Sequence, residues 1–117
     1  MTKLVKIEYT ETFVKSVEQN IDYLSAYKPE SMVIDDIESL VTFFEESVTQ
    51  FPEMFKICHD LTLLGDYRFR EVVKDGFRLL YSIEHVSDDE GIITGEVLVR
   101  TKNSLQEQLF NHCLLHR

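Results

Sequence analysis

The strongest constraint in this sequence is a short stretch built on period two around a turn. Tyr67-Arg68-Phe69-Arg70-Glu71-Val72-Val73-Lys74 alternates, Asp75-Gly76 follows, and Phe77-Arg78-Leu79-Leu80-Tyr81-Ser82-Ile83-Glu84-His85 returns. Asp-Gly between two such runs is the sequence mark of a two-residue hairpin, because that turn needs positive φ at both central positions. An acidic loop, Asp88-Asp89-Glu90-Gly91, precedes another strand-like run from Ile92 to Thr101. The three runs read as an antiparallel β-meander.

The first half has a different period. Lys3 to Tyr9 reads as a short strand, and Thr10 is placed to cap a helix with Glu11 in its first turn. Phe13, Val17, Ile21 and Leu24 recur at helical spacing, and Pro29 ends that helix. Ser31 is the expected cap of a second helix with a stripe of Val33, Ile37, Leu40 or Val41, Phe44 and Val48. Its other face carries Asp35, Asp36, Glu38, Glu45 and Glu46, and Pro52 closes it. Met54 to Leu64 is apolar without clear periodicity, and Leu63-Leu64-Gly65-Asp66 reads as a turn. At the end, Ser104-Leu105-Gln106-Glu107 is a capping box opening a short helix with Leu109, Phe110, Cys113 and Leu114. The expected class is α+β: a short N-terminal strand, an antiparallel helical hairpin packed on an antiparallel β-meander, and a short C-terminal helix. A length of 117 residues suits a single domain spanning 1–117.

Charge divides this chain unevenly. The formal net charge is -9, which weighs against a nucleic-acid binder. All the arginines, however, lie at or beyond Arg68. If strand side chains alternate strictly, Tyr67, Phe69, Val73, Phe77, Leu79, Tyr81, Ile83, Val97 and Val99 share an apolar face. Arg68, Arg70, Lys74, Arg78, Arg100 and Lys102 then form a cationic patch on the opposite face, beside Glu96. The plainer alternative is that each cation pairs with a nearby acid such as Glu71 or Glu84.

The block Tyr67-Arg68-Phe69-Arg70 followed by Gly76-Phe77-Arg78-Leu79-Leu80-Tyr81 resembles the RelE/ParE superfamily of bacterial toxin–antitoxin toxins, whose second meander strand carries a Gly-aromatic-Arg-x-x-Tyr pattern. The order of elements matches that family over nearly the whole chain. The resemblance implies two mechanisms. ParE-like toxins bind and poison DNA gyrase, are tied to plasmid stabilisation and growth inhibition, and are neutralised by a cognate antitoxin. RelE-like toxins are ribosome-dependent mRNA endonucleases, and here Arg68, Arg70 and Arg78 match positions where such enzymes keep basic residues. The family's closing arginine and C-terminal tyrosine or histidine are not matched: Lys102 to Phe110 puts phenylalanine near the tyrosine's place, and His112 and His116 lie late in the last helix. The ParE-like reading, with no catalytic constellation, is therefore the expected one. A fold-retaining, non-toxic binding module is a third possibility. The expected partners are an antitoxin, in a hetero-oligomer, and gyrase, with ribosome and mRNA as the alternative.

Other chemistry is weakly supported. Cys58-His59 and His112-Cys113-x-x-His116 contain zinc-ligand types, but not at the spacing of a structural site, so buried thiols are the simpler reading and no metal or cofactor is expected. Cys58-His59 makes a poor nucleophilic pair, since adjacent residues seldom face each other. The two cysteines fit a reducing compartment, and neither a signal-peptide core nor a membrane-length apolar run occurs, so a cytoplasmic location is expected.

Overall fold

The computed structural model describes residues 4–63, 65–66 and 68–101. The expected C-terminal helix, Lys102, Tyr67, His112, Cys113 and His116 lie outside the described residues. The elements are β1 (Leu4–Tyr9), α1 (Glu11–Leu24), α2 (Glu30–Gln50), a single helical turn α3 (His59–Thr62), β2 (Phe69–Lys74), β3 (Phe77–His85) and β4 (Glu90–Arg100). Thr10 caps α1 as anticipated, its Oγ1 accepting from Phe13 N–H at 2.9 Å. The second helix starts earlier than its expected Ser31 cap. Pro29 stands at the N-cap with φ −55° and no side-chain bond, and its carbonyl accepts from Met32 and Val33 instead. The turn α3 carries too few residues to leave a periodic signal.

Asp75 and Gly76 both have positive φ, 53° and 86°, so the hairpin turn forms as its two residues require. The sheet order is β1-β4-β3-β2, with β2, β3 and β4 antiparallel and β1 parallel to β4. The helical hairpin and the meander together supply the long crossover that a parallel pair needs.

The register corrects the expected division of faces. Val72 pairs with Leu79 and Leu79 with Leu98, and all three join Phe13, Val33, Leu40, Phe44, Phe77, Tyr81 and Ile93 in the core beneath the helices. Phe69, Leu80, Val97 and Val99 belong to a second cluster with Cys58 and Leu61. Alternation puts that cluster on the other side of the sheet. Two local facts explain the difference. The helix face of β2 is set by Val72, so Phe69 turns away from the helices. In β4 the register jumps, Leu80 opposite Val97 but Tyr81 opposite Gly95, leaving Glu96 as an extra bulged residue. A one-residue insertion reverses the facing of everything beyond it. Leu98 thus faces the helices and Val97 and Val99 do not. The face expected to be cationic is apolar at its centre, covered by α3 and the segment before it.

That segment also shields the outer edge of β2. Ile57 bridges Arg70, Cys58 N–H donates to Phe69 O at 2.8 Å, and Glu71 N–H donates to Lys56 O at 3.0 Å. Among the described residues, no helix is long and apolar enough to cross a membrane.

Candidate functional site

The hairpin and the bulge decide where each arginine goes, and they do not bring the expected cations to one sheet face. Arg70 and Arg100 fall on the helix side of the sheet with their partners Tyr81 and Phe77. Arg78, opposite Val73 and Val99, points to the other side. There it approaches Glu71 Oε2 at 3.6 Å, while Lys56 approaches Glu71 Oε1 at 3.5 Å. The Glu71 side chain is only 7% exposed, so these cations balance a nearly buried carboxylate. Lys74 pairs with its neighbour Asp75 at 3.0 Å.

Arg100 is held against α1. Its Nη1 donates to Asn20 Oδ1 at 2.6 Å, and its guanidinium lies 4.1 Å from the centre of the Tyr23 ring. It lines a recess of about 480 Å³ with Tyr23, Tyr27, Lys28 and the hairpin turn.

Arg68 and Arg70 do converge. β3 runs past the start of β2: Phe69 pairs with Ser82, leaving Ile83, Glu84 and His85 beyond the last β2 partner. The groove at this end, about 610 Å³, is lined by Arg68, Arg70, Glu53, Ile57 and the β3 residues Ser82 to His85. Arg68 grips Asp66 in a two-pronged pair, Nε to Oδ1 at 3.1 Å and Nη2 to Oδ2 at 2.8 Å, which holds the Asp66 carboxyl below its ordinary pKa. Arg70 Nη1 donates to Phe55 O at 2.7 Å. A carbonyl orients that guanidinium without cancelling its charge. His85 Nε2 lies 3.4 Å from Glu53 Oε1. Neither His85 nor Glu53 belongs to a motif that would single it out in the sequence: the overhang of β3 brings His85 to the two arginines, and the segment after α2 brings Glu53.

The groove therefore offers two guanidinium groups, an imidazole, carboxylates and the end of β3 that runs past β2. Such a surface can hold a protein segment carrying mixed charge. For the alternative chemistry, Arg68 and Arg70 share a site, but Arg78 lies on the opposite face and pairs with Glu71. Among the described residues, no cluster of His, Cys, Asp and Glu is arranged to hold a metal ion. Cys58 is buried in the second apolar cluster.

Neither a protein-family profile nor a curated protein sequence matches the chain. Among solved structures, a chain described as "Chromosomal ParDE TA system from P. aeruginosa" superposes with a TM-score of 0.60 at 9% identity, over 85% of this chain and 98% of that one. An N-terminal strand, two helices and a mixed four-stranded sheet are thus arranged as in the RelE/ParE-like α+β fold.

Proposed function

We propose that the chain is the toxin of a type II toxin–antitoxin pair, of the ParE-like kind, which acts by binding DNA gyrase and is silenced by a cognate antitoxin. The observation that carries this reading is the likeness to a chain from a ParDE system over nearly all of that chain's length. The dispersal of the arginines supports binding over RNA cleavage, because Arg68, Arg70 and Arg78 do not meet around one reacting atom. A net charge of -9 also favours a protein target over ribosomal RNA. In this reading Arg68 and Arg70 contact the target through the groove at the end of β3. Lys74 adds charge at the hairpin tip, and Arg78 and Arg100 act mainly through their contacts inside the fold; Lys102, next in sequence but one after Arg100, is a further proposed contact with the target. The antitoxin covers exposed apolar surface near the helical hairpin, where Tyr23 is 50% and Tyr27 73% exposed.

The second reading, a RelE-like ribosome-dependent mRNA endonuclease, has one observation in its favour: His85 shares the groove with Arg68 and Arg70. An imidazole beside guanidinium groups has the makings of proton transfer next to charge stabilisation. A supercoiling assay with purified gyrase, run beside a translation extract, separates the two. Loss of supercoiling with intact translation, relieved by Arg68→Ala and Arg70→Ala, is the expected result. Cleavage of ribosome-bound mRNA, lost on His85→Ala, would install the second reading. Inactivity in both assays, with normal growth on expression, would leave a binding module.

A further inference from the structure

β1 forms one edge of the sheet, and its outer side bonds to no described residue. The direction of its backbone follows from its bonds to β4. Leu4 N–H donates to Asp89 O at 2.7 Å and, at the far end, Thr10 N–H donates to Gly95 O at 3.0 Å. In a parallel ladder alternate residues face the neighbour, so Leu4, Lys6 and Glu8 face β4. Val5, Ile7 and Tyr9 turn their N–H and C=O groups outward. Their side chains pack against the core beneath the helices, which fixes the strand in place. On the opposite face Leu4 is 66% exposed, and the Lys6 and Glu8 side chains are 72% and 48% exposed.

We propose that this edge pairs antiparallel with β1 of a second copy of the chain, in the register that sets Ile7 opposite the partner's Ile7. Outward-facing groups meet only if Val5, Ile7 and Tyr9 pair among themselves. The Ile7-centred register is the one that uses all of them: Val5 lies opposite the partner's Tyr9 at each end. Each such pair exchanges two bonds, closing about six in all. The side chains select the same register. Lys6 stands opposite the partner's Glu8, and Glu8 opposite the partner's Lys6, at the closely spaced positions between hydrogen-bonded pairs. A slip of two residues in one direction sets Lys6 against the partner's Lys6. The opposite slip sets Glu8 against the partner's Glu8. A lysine on an edge strand ordinarily blocks pairing. Here the charge pattern of Val5-Lys6-Ile7-Glu8-Tyr9 is complementary to itself, and for that reason a second copy, rather than an unrelated strand, is the occupant. The product is one continuous sheet across a twofold axis. The contact is small, so the dimer is weak, with Kd on the order of tens of micromolar.

Sedimentation equilibrium of the full chain, from low micromolar to millimolar, tests this. A reversible monomer–dimer equilibrium is expected. Glu8→Lys, which sets lysines opposite Lys6 at both symmetric contacts, weakens it about tenfold. Lys6→Glu does the same from the other side. The double variant Lys6→Glu/Glu8→Lys restores the parent affinity, since the exchanged charges meet again. Unchanged far-UV circular dichroism and melting temperature certify that the variants fold, and the two single variants check each other. A chain that stays monomeric throughout overturns the proposal. So does a dimer indifferent to either charge reversal, or one the double variant fails to restore.

Discussion

The carboxamide of Asn20 lies where a neighbouring strand would put its backbone: Nδ2 donates to Leu98 O at 3.0 Å, deep inside the molecule. β1 ends at Tyr9, opposite Gly95, while β4 continues to Arg100. From Glu96 onward that side of β4 has no strand beside it among the described residues, and α1 takes over. Thr10 Oγ1 donates to Glu96 O at 3.0 Å and Leu98 N–H donates to Ser16 Oγ at 2.9 Å. Asn20 Oδ1 then receives Arg100. Polar side chains of one helix thus satisfy backbone that would otherwise be buried without partners.

Removing this support should be costly. Asn20→Ala leaves Leu98 C=O buried without its donor and strips Arg100 of an acceptor, so a loss of about 1–3 kcal/mol is expected. Ser16→Ala, which orphans Leu98 N–H, should cost a similar amount. Urea unfolding at neutral pH measures both. Substitution at the neighbouring Gln19, which is exposed, should change the midpoint little.

The sequence announced its elements more clearly than its faces. The Asp75-Gly76 turn, the Thr10 cap and the α2 stripe through Val33, Ile37, Leu40, Phe44 and Val48 are local signals, and each formed as expected. The bulge at Glu96 and the outward turn of Phe69 were not legible, because register depends on cross-strand pairing that no short window contains. The same gap scattered the predicted site. Arg68 and Arg70 meet in a groove, but Arg78 and Arg100 are held by Glu71 and Asn20 from elsewhere in the chain. Nor was Glu45 legible: it reads as part of a solvated acidic face, yet it accepts the hydroxyl of Tyr9.

Arg78 is a case where the fold changes the expectation. From sequence it reads as one of a cationic patch on the sheet, or as a cation paired with a nearby acid such as Glu71, and Arg78→Ala is expected to leave the domain folded. Because it balances the buried Glu71, Arg78→Ala should lower stability by about 2 kcal/mol. Arg78→Ala/Glu71→Gln should recover most of that loss, since an amide needs no counter-charge. Chemical denaturation of the parent, both single variants and the double variant closes the cycle, and additive effects would separate the two residues.

Alkaline pH should loosen the fold through its buried tyrosines. Tyr81 is fully buried, donates to Pro52 O at 3.0 Å and packs on Phe44 and Phe55, and burial pushes its hydroxyl up to about 12. Tyr9 is raised too, first by burial and then by its bond to Glu45. A group that holds its proton longer folded than unfolded favours folding while pH stays below the unfolded pKa, about 10. That stability drains away as pH climbs from there toward the folded value. Unfolding midpoints should therefore fall between pH 10 and about 12, and Tyr81→Phe should flatten that fall. At neutral pH Tyr81→Phe should cost only about 1 kcal/mol, against about 3–5 kcal/mol for Tyr81→Ala, which also empties the space filled by the ring.

Gly95 is the position where the sheet and the start of the helical layer leave no room. A Cβ there would stand 2.5 Å from Tyr9 Cδ1 and 2.8 Å from Cε1, closer than real contacts allow. The ring has little freedom to retreat. It is tilted against Phe13 with centroids 4.8 Å apart, and its hydroxyl is tied to Glu45 on α2. Gly95→Ala should therefore force the ring off its rotamer and cost about 1–3 kcal/mol. If the clash with the ring is the cause, Tyr9→Ala removes it. In that background Gly95→Ala should cost a few tenths of a kcal/mol or nothing, a coupling that equilibrium unfolding of the four chains resolves. An equal cost in both backgrounds would trace the need for glycine to the β4 backbone beside its bulge, rather than to the aromatic contact that joins β1 to the helices.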